Sequence, residues 1–488
     1  MPSDAPAANA APKAAPLGRA IVHIGFGNFC RAHLASFIHD YYATVGASEW
    51  GIVGIDRDTP RTVDMIEFLT STGFTYQIRA DSSTQSDISD IRSVIDLINM
   101  GVEPEKALTN LIDPQTRICS LTITEKGYYC DLQTGQLKMN HELEHDLTPE
   151  GRTRPKSMHG LVVEALQTRR AAGMPGFTLM SLDNIPGNGN ILKKAIMQFA
   201  ELTSHDGLAD WIETHVSFPN SMVDRITPNT KTAADIVATE PFRQWVVEDK
   251  FVNGRPVFEV LPPSTGIIIT ADVLPYEHMK VRLLNGSHSA LSYLSYLAGH
   301  RFVDQAMADP KVAMFVHAYL RETVMTVHEV KGISLDAYQD LLLQRFSNPK
   351  ISDMIQRLCE DGSMKASSFW KPVLEDHIAG ENPFTLIGLA TAGWIRYSTG
   401  KDEAGEPIVI KDPAMAHILA PLAEHAVAHG NVGPFLEAAF GPSLARMTVF
   451  SDEVTRWLQM LVEKGAAEVL EEVRGVFSRD AVPAGGLH

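Results

Sequence analysis

Residues 20–56 constrain the fold more than any other stretch of the chain. A short apolar run, Ala20 to Ile24, leads into Gly25-Phe26-Gly27. A helical pattern follows, with Leu34, Phe37, Ile38 and Tyr41 at helix spacing. The next apolar run, Trp50 to Ile55, ends on Asp56. Strand, glycine turn, helix, strand and acidic residue together form the opening of a dinucleotide-binding unit. Gly25 permits the tight turn. Gly27 lets the backbone approach a pyrophosphate, which rests on the helix N-terminus. Asn28, Phe29 and Arg31 open that helix and count with the glycines as cofactor-side residues. The full pattern is G-x-G-x-x-C, with Cys30 in the position that calls for a small side chain. A plain strand-to-helix turn explains the same glycines without any ligand.

The carboxylate of Asp56 can accept hydrogen bonds from the adenosine ribose, which favours NAD. Arg57 and Arg61 stand close behind and can instead hold a 2′-phosphate, so NADP is the alternative.

Further strand-like runs occur at Phe74 to Ile78, Arg117 to Thr124 and Phe177 to Leu182, with helical patterns at Ser157 to Arg170 and Asn190 to Ala200. This alternation predicts an α/β fold, a Rossmann-type N-terminal domain with a mostly parallel sheet. Near Pro275 the pattern changes to helical periodicity alone, as in Ser289 to Leu297, Val312 to Val324, Ser334 to Leu343, Asn382 to Arg396 and Asp452 to Val462. The expected organisation is a disordered Ala/Pro-rich leader (1–18), a Rossmann domain (19–276) and an all-α domain (277–488).

Composition excludes several classes. The 488 residues carry a formal net charge of −17, which opposes nucleic acid and anionic membranes. No apolar stretch is long enough for a membrane span. The four cysteines, Cys30, Cys119, Cys130 and Cys359, have no metal-site or disulfide-scaffold spacing. A cytoplasmic protein without a bound metal is expected, a monomer or small homo-oligomer whose partners are small molecules.

Three polar stretches carry the candidate chemistry. Asp183-Asn184 closes the apolar run Phe177 to Leu182, at the sheet edge where ligands of open α/β folds bind. Asn184 is a candidate donor to a substrate oxygen, against a turn residue, while Asn190 reads as the next helix's N-cap. Asp224-Arg225 follows Ser221-Met222-Val223 and reads either as a structural ion pair or as a carboxylate at the rim of a site. The third stretch, Lys280 to His288, has the spacing K-x4-N-x2-H. At about 100° per residue, Lys280 and His288 fall about 80° apart and Asn285 and His288 about 60° apart. Oxidation of an alcohol requires a base for its hydroxyl proton, and a desolvated lysine serves if its pKa falls from about 10.4 to roughly 7–8. Asn285 and Asn184 can stabilise the alkoxide, and His288 can bind a hydroxyl. A surface lysine, a capping asparagine and a satisfied core histidine explain the same letters.

At this level of detail the chain resembles the polyol-specific long-chain dehydrogenases of the mannitol dehydrogenase family. The matching segments are IVHIGFGNFCRAH (21–33), SLTITEKGYY (120–129), SLDNIPGNGN (181–190), FPNSMVDRITP (218–228), EDKFVNGRP (248–256), PYEHMKVRLLNGSHSALSYLSYLAG (275–299) and RLCEDGSMK (357–365). The resemblance implies a Rossmann-type domain, a helical domain and a site between them. It implies metal-independent interconversion of a polyol and a ketose, with D-mannitol and D-fructose first. D-arabinitol, sorbitol and, less well, a uronate such as mannonate are the alternatives. On that resemblance Lys280 is the general acid/base, Asn184 and Asn285 the oxyanion-stabilising pair, and Asp224, His288, Arg357 and Lys365 substrate-side residues. Two departures stand out. Cys30 replaces the usual histidine, and Thr59-Pro60-Arg61 replaces a common acidic pair, which keeps NADP open. A non-catalytic binding protein on the same scaffold is the competing class.

Overall fold

A computed structural model describes residues 17–132, 134–228, 236–412 and 416–480. Most of the expected leader therefore lies outside the described residues. The chain forms two compact units that meet in sequence at Val273 and Leu274, the second unit also taking in Ser82–Thr84.

The strands of the first unit are β1 (Ile21–Ile24), β2 (Ile52–Asp56), β3 (Tyr76–Asp81), β4 (Ser86–Ile91), β5 (Val94–Asn99), β6 (Ile118–Leu121), β7 (Thr178–Ser181), β8 (Ser221–Asp224), β9 (Ile236–Thr239), β10 (Gln244–Glu248) and β11 (Ile267–Thr270). Five of them make a parallel sheet in the order β5-β2-β1-β6-β7. Both faces are covered, so the strands read as apolar runs without alternation. Val22, Ile24, Val53 and Ile55 face one core with the helices Met158–Ala171 and Asn188–Leu202. Ile21, Ile52 and Phe26 face the other with Leu34, Phe37 and Trp245.

The chain leaves β1 toward β2 and β5 on one side, and returns to β6 and β7 on the other. This reversal is the topological switch point of a Rossmann sheet, and a crevice opens at the strands' carboxyl ends there. The run at Phe74 to Ile78 departs from expectation. It becomes β3 of a separate three-stranded sheet, β4-β3-β9, and a second small sheet orders β11-β10-β8. Asp87, Ser89 and Asp90 give β4 no apolar period, so only its pairing with β3 defines it.

The helix after the glycine turn is also not continuous. It breaks at His33 (φ −104°, ψ −84°) into Asn28–Ala32 and Leu34–Val45. The cause is tertiary: the buried His33 ring stacks on Phe29 at 4.8 Å and its Nε2 bonds the Gln244 carbonyl at 2.9 Å.

The described residues of the second unit contain helices and no strand longer than an isolated bridge. Its centre is Thr385–Ser398, buried on nearly every side and packed against Gly286–Leu297 and Thr448–Lys464. Among the described residues no helix is long and apolar enough to cross a membrane.

Candidate active site

In the first unit a cavity of about 200 Å³ opens at the switch point. Its lining comes from the carboxyl ends of four adjacent strands: Gly25 after β1, Asp56 at the end of β2 and Arg57 after it, Met100 after β5 and Thr122 to Thr124 after β6. Tyr129, Glu142 and Ser157 complete the wall.

The two glycines do different work. Gly25 has φ +91°, and a Cβ there would lie 2.2 Å from the Thr122 carbonyl oxygen. The fold itself therefore requires glycine at 25. Gly27 has φ −90° and ψ −175°, a conformation open to any residue. A Cβ on Gly27 would meet nothing of this chain nearer than 4.0 Å. Nothing inside the fold demands glycine at 27, which fits a ligand backbone drawn in close against that position. The intervening Phe26 ring lies on Gly54 of β2, where a Cβ would stand 2.9 Å from it.

The other predicted cofactor residues divide. Asp56 and Arg57 line the cavity. Burial pushes the Asp56 carboxyl above its ordinary range, against the pull of the Arg57 amide and of Arg61 and Arg57. The Arg57 guanidinium is ion-paired with Glu142 and lies 3.5 Å from the Tyr129 hydroxyl. Asn28 accepts from Arg61 at 2.9 Å. Phe29 stacks on His33, and Cys30 is fully buried as packing. Arg31 is 2 % exposed, with its guanidinium 4.5 Å from the Tyr76 ring centre, away from the cavity lining. Sequence reasoning missed Glu142 and Tyr129. Tyr129 ends a motif already quoted, but nothing local marks Glu142.

At the end of β7, the Asp183 carboxylate accepts from Ile123 N (3.1 Å), Thr124 N (3.0 Å) and Tyr128 Oη (2.8 Å). Burial raises its pKa to about 6. It thereby fixes the β6 loop that lines the cavity. Asn184 beside it is exposed. The following helix starts at Asn188 with Gly187 as its cap, so Asn190 is not the N-cap. Asn188 is instead a buried clamp, accepting from Ser221 N at 2.9 Å and donating to the Ser221 and Asp183 carbonyls. That clamp ties β7 to β8, which ends on the buried Asp224. Arg225 donates to the backbone carbonyls of Ala32 and Glu240, and burial lowers its pKa to about 10.

In the second unit, the uniform 100° pitch assumed for Lys280 to His288 does not hold. Lys280–Asn285 is a π-helical turn, and the α-helix Gly286–Leu297 follows it. Bonds from i to i+5 bring residues five apart, Lys280 and Asn285, toward one face; such turns are rare and recur at functional sites. Lys280 is 5 % exposed. The Asn285 Oδ1 is buried without a hydrogen-bond partner. His288 stacks on Phe346 at 4.1 Å.

A second π turn, Ala366–Trp370, begins directly after Lys365. Trp370 Nε1 donates to the Gly286 carbonyl at 3.1 Å, joining the two π turns. Lys365 donates to the Leu358 carbonyl at 2.9 Å, and burial lowers its pKa. Arg357 is held by both oxygens of Asp353, at 2.8 and 2.5 Å. Lys280, Asn285, His288, Arg357 and Lys365 thus belong to the second unit, and Asn184 and Asp224 to the first. Among the described residues no group of three or more His, Cys, Asp or Glu side chains is arranged to hold a metal ion.

Comparison with known proteins gives one answer from sequence and structure. Residues 19–260 match the family model described as the mannitol dehydrogenase Rossmann domain, and residues 272–461 the mannitol dehydrogenase C-terminal domain. The D-mannonate oxidoreductase of Escherichia coli (strain K12) is 36% identical over 465 residues, covering 92% of this chain and 94% of that one. The solved Pseudomonas fluorescens mannitol 2-dehydrogenase, in ternary complex with NAD and D-mannitol, is 36% identical with a TM-score of 0.78, covering 95% of this chain and 97% of that one. A D-sorbitol dehydrogenase solved in substrate-free form has 31% identity and a TM-score of 0.84, covering 93% of this chain and 95% of that one.

Proposed function

The chain belongs to the mannitol dehydrogenase family of oxidoreductases, and from that premise we propose that it interconverts D-mannitol and D-fructose with NAD. The observation that carries the mechanism is the buried Lys280 at the head of a π turn, with Asn285 one π turn on. Alcohol oxidation needs a group that accepts the hydroxyl proton, and an amine can serve as that base.

In the oxidative direction Lys280 takes the hydroxyl proton as the carbinol carbon loses hydride. A bound nicotinamide supplies the hydride acceptor. The amide of Asn285 stabilises the alkoxide as its charge grows. His288, held flat against Phe346, orients a neighbouring hydroxyl. In ketose reduction Lys280 returns the proton to the carbonyl oxygen. Gly25, Gly27 and the start of Asn28–Ala32 would hold the pyrophosphate, and Asp56 the adenosine ribose.

A neutral polyol is favoured over a uronate by the state of the two cations that could hold a carboxylate. Arg357 is already ion-paired with Asp353, and burial, which lowers the Lys365 pKa, makes that amine the weaker cation. Sorbitol and D-arabinitol differ from mannitol only in hydroxyl stereochemistry or chain length, and they are the alternatives within the class.

The test is a nicotinamide-absorbance screen crossing NAD and NADP with mannitol, sorbitol, D-arabinitol and mannonate, with fructose in reverse. The highest kcat/KM is expected for mannitol with NAD. Lys280→Ala is expected to lower kcat by at least ~100-fold while leaving NADH affinity within about twofold. Near-normal turnover in that variant would sink the mechanism, and a mannonate optimum would sink the substrate.

A further inference from the structure

We propose that Glu142 determines the choice of nicotinamide nucleotide by holding Arg57 away from a 2′-phosphate. The inference rests on the reading of the switch-point cavity as the cofactor's adenosine site. Asp56 alone does not settle specificity, because the next residue is an arginine of the kind that binds a 2′-phosphate. What decides is where that arginine is held.

Arg57 forms an ion pair with one oxygen of Glu142, and the Tyr129 hydroxyl donates to the other. The Tyr129 hydroxyl also lies 3.5 Å from the guanidinium, closing a triangle of three side chains. All three line the same cavity as Gly25 and Asp56. Glu142 is well placed to act as the fixed member. Its side chain is 13% exposed, against 59% for Arg57. Its backbone is pinned by Asn140, whose Oδ1 accepts from the amides of Glu142 and Leu143 at 3.0 Å each.

Two consequences follow, and both act against a 2′-phosphate. The guanidinium is neutralised, so a phosphate must break an existing ion pair before gaining a new one. Glu142 also adds a second anion to a cavity that already holds Asp56, and like charges oppose a dianionic ligand. A ribose with a free 2′-hydroxyl meets neither obstacle.

The experiment measures dissociation constants for NADH and NADPH by calorimetric titration of the full-length protein. It compares wild type, Glu142→Gln, Arg57→Ala and the double variant. Glu142→Gln keeps the shape and removes the anion. It is expected to move the NADPH/NADH affinity ratio toward NADPH by about tenfold, the lower end of what one charge-assisted hydrogen bond contributes, because the freed guanidinium stays exposed to water. The double variant is expected to lose most of that shift, because the released guanidinium is what binds the phosphate. A ratio in Glu142→Gln within twofold of wild type overturns the proposal. So does a full shift that survives in the double variant, since Arg57 then plays no part. The wild-type ratio tests the NAD reading separately. A wild type that binds NADPH more tightly refutes that reading, whatever Glu142→Gln does to the ratio.

Discussion

The contrast between Gly25 and Gly27 gives the sharpest test of the cofactor site, because the structure assigns the two glycines different reasons to exist. Alanine at 25 must adopt φ +91° and bring its Cβ to 2.2 Å from a backbone oxygen that cannot move without disturbing the β6 loop. The left-handed backbone costs about 1–2 kcal/mol, and relief of the contact adds a similar amount. A total of about 3 kcal/mol lowers the melting temperature of a unit this size by roughly 6–10 °C. Alanine at 27 meets no atom of the chain within ordinary contact and has a permitted backbone. Its small loss as a helix cap, about 0.5 kcal/mol, is offset by the lower entropy of its unfolded chain. Cofactor-free Gly27→Ala is therefore expected to melt within about 2 °C of wild type. On the proposed cofactor reading, however, its Cβ would occupy the space that the pyrophosphate needs. Displacement of the phosphates from the helix amides forfeits at least one charge-assisted hydrogen bond, about 2 kcal/mol or roughly 30-fold in affinity. Thermal melts without cofactor and fluorescence titrations with NADH check both halves. Normal NADH binding by Gly27→Ala refutes the assignment of the turn to the cofactor. A Gly27→Ala melt as low as that of Gly25→Ala refutes the steric reasoning.

Three further outcomes are expected. Arg169 is fully buried and donates to the carbonyls of Leu111, Ile112, Asp113, Thr116 and Pro175, so Arg169→Met is expected to cost about 3–5 kcal/mol in urea unfolding. Glu322 caps the buried start of Thr385–Ser398 through the amides of Leu386 and Ile387, and burial raises its pKa to about 7. The folded state holds this proton more tightly than the unfolded one, so stability falls as pH rises from about 4.5 through 7, and Glu322→Gln is expected to flatten that part of the unfolding profile; an unchanged slope refutes the assignment. Asp183→Asn keeps one acceptor and loses the other, which loosens Ile123 and Thr124; NADH affinity is expected to fall about fivefold with the pH-independent kcat little changed, as steady-state kinetics and titration will report.

The order of these expectations reflects what a sequence encodes locally. The glycine turn, the strands either side of it and the change to helical periodicity near Pro275 were legible because each is written in a few adjacent residues. The features that were not legible depend on partners far along the chain. Nothing near His33 announces a helix break, which comes from the carbonyl of Gln244, 211 residues on. Asn190 reads as the cap on paper, and nothing near Asn188 announces the clamp it forms with Ser221 on β8. The same holds for the site. Lys280, Asn285 and His288 could be picked out as candidates, but the turn that carries the first two could not be read from their spacing. A π turn is a tertiary outcome, held here by Trp370 reaching the Gly286 carbonyl from the second π turn. Arg57 could be seen to compete with Asp56 for the nucleotide, yet its charge is taken up by Glu142, 85 residues away. A residue type at a motif position therefore states which chemistry is available. Whether the chemistry is used depends on which distant side chain already occupies it. In this chain the proposed choices of NAD over NADP and of a polyol over a uronate both rest on that second question, at Glu142 and at Asp353.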